Sequence, residues 1–179
     1  MAADREADSV PSIRPEHPDD FNTVNTLLRA SFGREAEARL VDRLRASGKI
    51  VSALVAEEKQ RILGHVVISK VSVDAEGGEV DALALAPLAV EPAFQRLGIG
   101  SALVSAGLEF CRLGKHARVL VLGDPVYYAR FGFVPAVRFG LKSPFPAPEN
   151  SFMAIDLAAG AFAKTSGTVR YGHEFDALE

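Results

Sequence analysis

Cysteine occurs once in the 179 residues, at Cys111, and tryptophan not at all. One thiol cannot close an internal disulfide, so packing must hold the fold, and a reducing compartment fits. No apolar run approaches the ~18 residues that a membrane span requires. The opening residues, MAADREADSVPS, are polar and acidic and carry no apolar core of a secretory signal. Runs of Lys or Arg are absent and the formal charge is −3, whereas a general nucleic-acid binder shows a basic patch or stripe. The four histidines, His17, His65, His116 and His173, lack metal-ligand spacing, so no metal is expected. The composition, 48% hydrophobic and 24% charged, is that of a globular domain long enough to bury a core. The expectation is a cytoplasmic protein with a loose tail over residues 1–10 and a single domain over 11–179.

Hydrophobic spacing reads as one mixed α/β domain around a single sheet. Ile13 and Arg14 open a short edge strand closed by Pro15, and Asp19 or Asp20 caps a helix carrying Phe21, Val24, Leu27 and Leu28. Leu40, Val41 and Leu44 mark a second helix, which Gly48 ends. Strands follow over 50–56 and 62–71, joined by a hairpin at EEKQR, and residues 74–78 turn again. In the strand over 82–90, Leu83 and Leu85 hold odd positions but Leu88 and Val90 even ones. A strand changes face only by absorbing an extra residue, which predicts a bulge or splay at Ala86-Pro87, where proline also removes a ladder donor. A strand buried on both faces, whose phase carries no meaning, is the alternative. A helix over 100–113 stops at Gly114, and Arg118 to Leu122 is a short apolar strand. Gly123-Asp124-Pro125 opens a short helix through Phe131, and Phe133 to Pro135 is extended. Strands at 152–157 and in TVRYGHEF close the pattern.

Between strand and helix stands EPAFQRLGIGS, residues 91–101. A helix start after a glycine-bearing loop offers backbone N–H groups without intrahelical partners, together with the positive end of the helix dipole. Such a place takes phosphate or pyrophosphate, with Gly98 and Gly100 allowing close approach and Arg96 adding charge. Neither GxxxxGK[ST] nor GxGxxG is complete, because Leu103 holds the third glycine's place.

LAVEPAFQRLGIGSALV resembles the acetyl-CoA-binding motif of the GNAT superfamily of N-acetyltransferases, through Val90, Pro92, Gln95, Gly98 and Gly100. Tyr128-Ala-Arg-Phe-Gly132-Phe133 is similar to a second motif of that family, Y-x-x-x-G-F, in the expected order after one helix and one strand. The resemblance runs from Ile13 to about Leu157. It implies a GNAT-like fold: a central, mostly antiparallel sheet with a splayed central strand, flanked by helices. It also implies transfer of the acetyl group of acetyl-CoA to a primary amine of a small molecule or peptide, by direct attack in a ternary complex and without a metal. A non-catalytic acyl-CoA-binding sensor or interaction module is the alternative, and transfer of a longer acyl chain is a third.

The reaction makes three demands: an amine freed of its proton, a donor for the thioester oxyanion and an acid for the departing thiolate. The resemblance assigns the oxyanion to the Val90 N–H, beside Leu88 and Ala89 on the splayed strand. It assigns the pyrophosphate to Gln95, Arg96, Leu97, Gly98, Ile99, Gly100 and Ser101, mostly through backbone. Tyr128 occupies the general-acid position, while Tyr127 and Phe131 pack or wall the cofactor site. Many relatives place an asparagine where Asp124 stands, and Asp124 has a structural reason to be there as a helix cap. For the base, Glu79 or Asp81, Glu35, His173 and a water relay remain open. Cys111 lies on the buried stripe of its helix and is expected in the core. The segment from Ser143 to Pro148, with Phe145 inside it, shapes an acceptor pocket or is a passive connection. Residues beyond Leu157 complete the sheet, close the acceptor site or join a second subunit as a homodimer.

Overall fold

The computed structural model describes residues 11–179, so the expected tail over 1–10 lies outside the described residues. One sheet organises the chain. Strand β1 (Ser12–Pro15) leads through a 3-10 turn to helices α1 (Phe21–Phe32) and α2 (Ala36–Ala46). The strands β2 (Ile50–Glu58), β3 (Arg61–Ala75) and β4 (Gly78–Val90) then form an antiparallel meander. Helix α3 (Ile99–Leu113) returns the chain to β5 (Arg118–Leu122), which runs parallel to β4. The short helix α4 (Pro125–Ala129), β6 (Val134–Pro135), β7 (Leu141–Lys142), β8 (Phe152–Asp156) and β9 (Gly167–Arg170) follow, and residues His173–Leu178 form a last 3-10 turn. The order is β1-β2-β3-β4-β5-β8-β6, and β9 pairs with the far half of β3 beyond the end of β2.

The fold class expected from sequence is observed, with some boundaries moved. The hairpin at EEKQR turns on Lys59 and Gln60, both at positive φ. β3 and β4 are longer than hydrophobicity suggests, because their charged ends still pair, Asp74 with Glu79 and Ser72 with Asp81. Asp20 precedes α1 but does not cap it. Its carboxylate accepts from the His17 N–H at 2.8 Å and from the Arg14 guanidinium at 2.7 Å, an arrangement that ties β1 to the helix entrance. α4 ends at Ala129, and the C-terminal strand ends at Arg170.

Both faces of the sheet are covered. α3 packs Leu103, Val104, Leu108 and Cys111 onto Leu63, Val66, Ile68 and Leu85. On the opposite face, Val24, Leu28, Leu40 and Leu44 of α1 and α2 meet Val55, Val67 and Ala89, with Phe175 joining them from the C-terminal turn. Each fully buried aliphatic side chain contributes about 1.5–3 kcal/mol, so these two layers hold the sheet. Burial pushes the Cys111 thiol up to about 11, which leaves it a core residue without thiolate character.

The irregularity read from the parity of β4 is present. Val66 stands opposite Leu88 and Ile68 opposite Leu85, so Ala86 and Pro87 together face the single residue Val67. The Ala86-Pro87 peptide is cis. With the extra residue in the ladder, Leu83, Leu85, Leu88 and Val90 all pack on the α3 side, while Ala82, Ala84 and Ala89 lie on the other.

Candidate active site

β3 pairs with β4 along its length, whereas β5 pairs with it only at Leu83 and Ala84. Beyond Leu85 the β4–β5 edge is open. The phase of the ladder there is set by the Glu91 N–H, which donates to the Leu63 carbonyl at 2.8 Å. Backbone groups alternate sides in an antiparallel strand, so Ala89 faces β3 while Leu88 and Val90 turn their N–H and C=O groups to the open edge. The Val90 carbonyl is occupied on that side, accepting from the Ser31 hydroxyl at 2.5 Å and the Gln95 amide at 3.1 Å. Its N–H points into the same gap.

Two cavities meet at Leu88. The first, about 630 Å³, is walled by Leu88 and Val90, the loop from Gln95 to Ser101, and Asp124, Tyr127 and Arg130. The second, about 650 Å³, lies between the Ala86-Pro87 bulge, the end of α1, the segment Pro144–Pro146 and the C-terminal turn, with Tyr128 in its wall.

The glycine loop is shaped for the first cavity. Gly98 sits at φ +87, ahead of the first residue of α3, where a side chain would be strained. Ile99 is buried and anchors the loop to the core. The first bond of the helix is from the Ala102 N–H to the Gly98 carbonyl at 3.0 Å, so the N–H groups of Ile99, Gly100 and Ser101 have no intrahelical acceptor. The Arg130 guanidinium adds positive charge beside them. It donates to the Ser101 hydroxyl at 3.0 Å and stacks 4.7 Å over the Tyr127 ring.

Asp124 fixes the tyrosines. Its carboxylate accepts from the Val126 N–H at 2.9 Å and the Tyr127 N–H at 3.4 Å, and Pro125 follows as the first helical residue. Successive helical residues project about 100° apart, which sends Tyr127 to the first cavity and Tyr128 to the second. A Cβ at Gly123 would stand 2.5 Å from Tyr128 Cε2, so this ring lies directly on the strand end. Tyr127 and Phe133 meet it edge-on, with centroids at 5.0 and 5.7 Å. Burial first, and the neighbouring Tyr127 second, push the Tyr128 hydroxyl well above the usual phenol range. It is therefore a proton-bearing group at neutral pH.

Leu88, Val90, Gln95, Arg96, Gly98, Gly100, Ser101, Asp124 and Tyr127 are brought together around the first cavity. Other residues named from sequence lie elsewhere. The Ala89 side chain is buried under α1 and α2, Leu97 is exposed, and Phe131 packs against Tyr127 and the core. Glu79 and Asp81 line neither cavity: at ~3.3 Å per residue, Asp81 lies roughly 23 Å before Leu88 along β4. Glu35 is exposed between Arg29 and Arg39, and His173 is exposed beside Glu174. Val126 and Arg130 in the first cavity, and Phe32, Glu37, Phe175 and Leu178 in the second, escape sequence reasoning. Only Arg130 leaves a signal, one helical turn after Tyr127. Phe145 lines the second cavity. No cluster of three or more His, Cys, Asp or Glu placed to hold a metal occurs among the described residues, nor a helix long and apolar enough to cross a membrane.

Residues 12–136 match the family model of the acetyltransferase (GNAT) domain. The chain belongs to the GNAT family. It is 36% identical over 165 residues to YhbS of Escherichia coli, named as an uncharacterized N-acetyltransferase, covering 92% of this chain and 98% of the relative. The crystal structure of Escherichia coli YhbS in complex with CoA superposes with a TM-score of 0.87 at 34% identity, covering 96% of each chain. A GNAT acetyltransferase of Brucella melitensis, solved with acetyl-CoA, gives 0.77 at 32% identity over 92% of this chain and 97% of that one. In this GNAT chain, Phe145, Tyr171 and Phe175 of the second cavity fall beyond the matched residues. That wall belongs to the C-terminal part, which also extends the sheet through β9.

Proposed function

We propose that the protein is an acetyl-CoA-dependent N-acetyltransferase that joins acetyl-CoA and a primary amine in one ternary complex. The observation carrying this reading is the pair of cavities that share Leu88, one against a helix start whose first N–H groups lack intrahelical acceptors and the other against the buried Tyr128 side chain. Acetyl-CoA lies in the first cavity, its pyrophosphate on the N–H groups of Gly98 to Ser101 and its arm along the open edge of β4. The Val90 N–H supports the thioester oxygen as negative charge grows on it. The amine enters from the second cavity, and its nitrogen lone pair forms the bond to the acetyl carbon. The C–S bond breaks, the thiolate takes the Tyr128 proton, and water takes the proton shed by the nitrogen and returns one to the Tyr128 phenolate, which restores the enzyme. The two CoA-bound relatives support the cofactor, being similar over nearly the whole chain.

Calorimetric titration with acetyl-CoA, against dephospho-CoA and ATP, tests the first cavity. Micromolar binding is expected, lost in Gly98→Glu, whose side chain would be strained and would fill the cradle. Thiol release in the presence of amines then tests turnover, and Tyr128→Phe is expected to lower kcat by about a hundredfold or more. Absence of acetyl-CoA binding by the folded protein removes the basis of the reading. Full activity in Tyr128→Phe removes the assigned acid.

A further inference from the structure

The wall of the second cavity is dominated by rings and aliphatic side chains. Phe32, Leu122, Phe145, Tyr171, Phe175 and Leu178 are among them. Three of the rings form a chain, Phe145 to Tyr171 at 4.8 Å and 64°, then Tyr171 to Phe175 at 4.7 Å and 74°. Edge-to-face rings of this kind extend readily to a further ring placed against them. The volume of about 650 Å³ matches a compact organic molecule.

The charges in the wall point the same way. Arg34 and Glu37 bind each other, the guanidinium Nε lying 3.1 Å from both carboxylate oxygens and Nη2 2.5 Å from Oε1. A carboxylate held on two sides by arginine is neither a free counter-ion nor a ready base. Tyr128 and Tyr171 aside, the remaining ionisable side chain of the wall is the exposed Glu179. A polyamine or an aminoglycoside carries several ammonium groups, and all but one would lose their water here with only the Glu179 carboxylate at the exposed rim to replace it.

We propose, building on the N-acetyltransferase reading, that the acceptor is a monoamine carried on an apolar, preferably aromatic, body, selected by Phe145, Tyr171 and Phe175. The same wall answers the demand for a neutral amine. No histidine lines it, and none of the base candidates named from sequence reaches it. Apolar surroundings disfavour the ammonium form, lower the amine's pKa and favour the nucleophilic state. Water takes the proton. A second, permanent charge on the acceptor would forfeit this advantage.

The test uses the purified full chain with saturating acetyl-CoA and follows thiol release with 2-phenylethylamine, hexylamine, ethanolamine and spermidine. The expected kcat/KM for 2-phenylethylamine exceeds that for ethanolamine by on the order of tenfold to a hundredfold, the worth of burying one ring. It should rise with pH as the free amine is titrated. Phe145→Ala raises KM for 2-phenylethylamine about tenfold, a larger change than for ethanolamine, and leaves acetyl-CoA affinity unchanged. Phe175→Leu does the same more mildly and guards against a folding defect, since Phe175 also packs in the core. Preference for spermidine or ethanolamine overturns the substrate class while the acetyltransferase reading stands. No release with either apolar amine also overturns it. Failure of acetyl-CoA to bind overturns the reading beneath.

Discussion

Glu174→Gln tests how the C-terminal turn is held against the second cavity. Glu174 is 1% exposed, and its carboxylate accepts from the Lys49 ammonium at 3.0 Å. Burial is the largest single influence on this carboxyl and opposes its charge. Its own backbone N–H, Lys49 and Ser47 together outweigh burial and hold it at about 2. A carboxyl moved from 4.5 to about 2 carries roughly 3 kcal/mol of charge-dependent stability at neutral pH. The Lys49 side chain is 36% exposed, so screening reduces the expected cost of Glu174→Gln to about 2 kcal/mol. The folded carboxyl is depressed, so its contribution is full above the unfolded value near 4.5 and fades as pH falls towards 2. Urea unfolding at pH 7 and pH 3 should therefore show the gap between wild type and variant shrinking from about 2 to about 1 kcal/mol. The turn also carries Phe175 and Leu178 into the cavity wall. The variant should raise the amine KM and leave acetyl-CoA affinity alone. An equal gap at both pH values would show that Glu174 acts through packing alone and refute the electrostatic account.

Gly123→Ala places a methyl group 2.5 Å from Tyr128 Cε2 and displaces that ring. Single-turnover kinetics should show acetyl transfer slowed about tenfold or more at unchanged acetyl-CoA affinity. Arg130→Ala removes the guanidinium beside Ser101 and Tyr127. Calorimetry should show acetyl-CoA binding weakened by about 1–2 kcal/mol, with a shallower dependence on salt, and kcat retained at saturation.

What the sequence reveals depends on how local the cause is. The β4 bulge is legible because side chains alternate along a strand, so the shift from Leu83 and Leu85 to Leu88 and Val90 points to an extra residue, and the register chooses it over a strand buried on both faces. The glycine loop and the Asp124 cap are legible because each is a contiguous segment with its own backbone chemistry. The reach of β4 is not. Its polar first residues, Glu79 to Asp81, are held by pairing with β3 rather than by hydrophobicity, which sets both carboxylates at the end of the strand away from the two cavities. The second cavity is least legible of all. Phe32, Phe145, Tyr171 and Phe175 come from three distant segments, joined where β9 continues the sheet beside β3. The buried contact of His65 with Glu16, 3.0 Å apart beneath α2, has the same origin. No period or motif connects such residues.

The bulge does more than open an edge. Without the extra residue, Leu88 and Val90 would fall on the α1–α2 face, and the side that meets the glycine loop would carry Ala89. With it, Leu88 and Val90 stand on the α3 side, close to Gly100 at the helix start. Pro87, lacking an N–H, occupies a position in the second cavity's wall where no ladder bond is required of it. The first cavity therefore owes its floor, and the second cavity its inner wall, to the same irregularity. In the proposed reaction, a donor held in one and an acceptor held in the other meet at the residue that lines both cavities, Leu88.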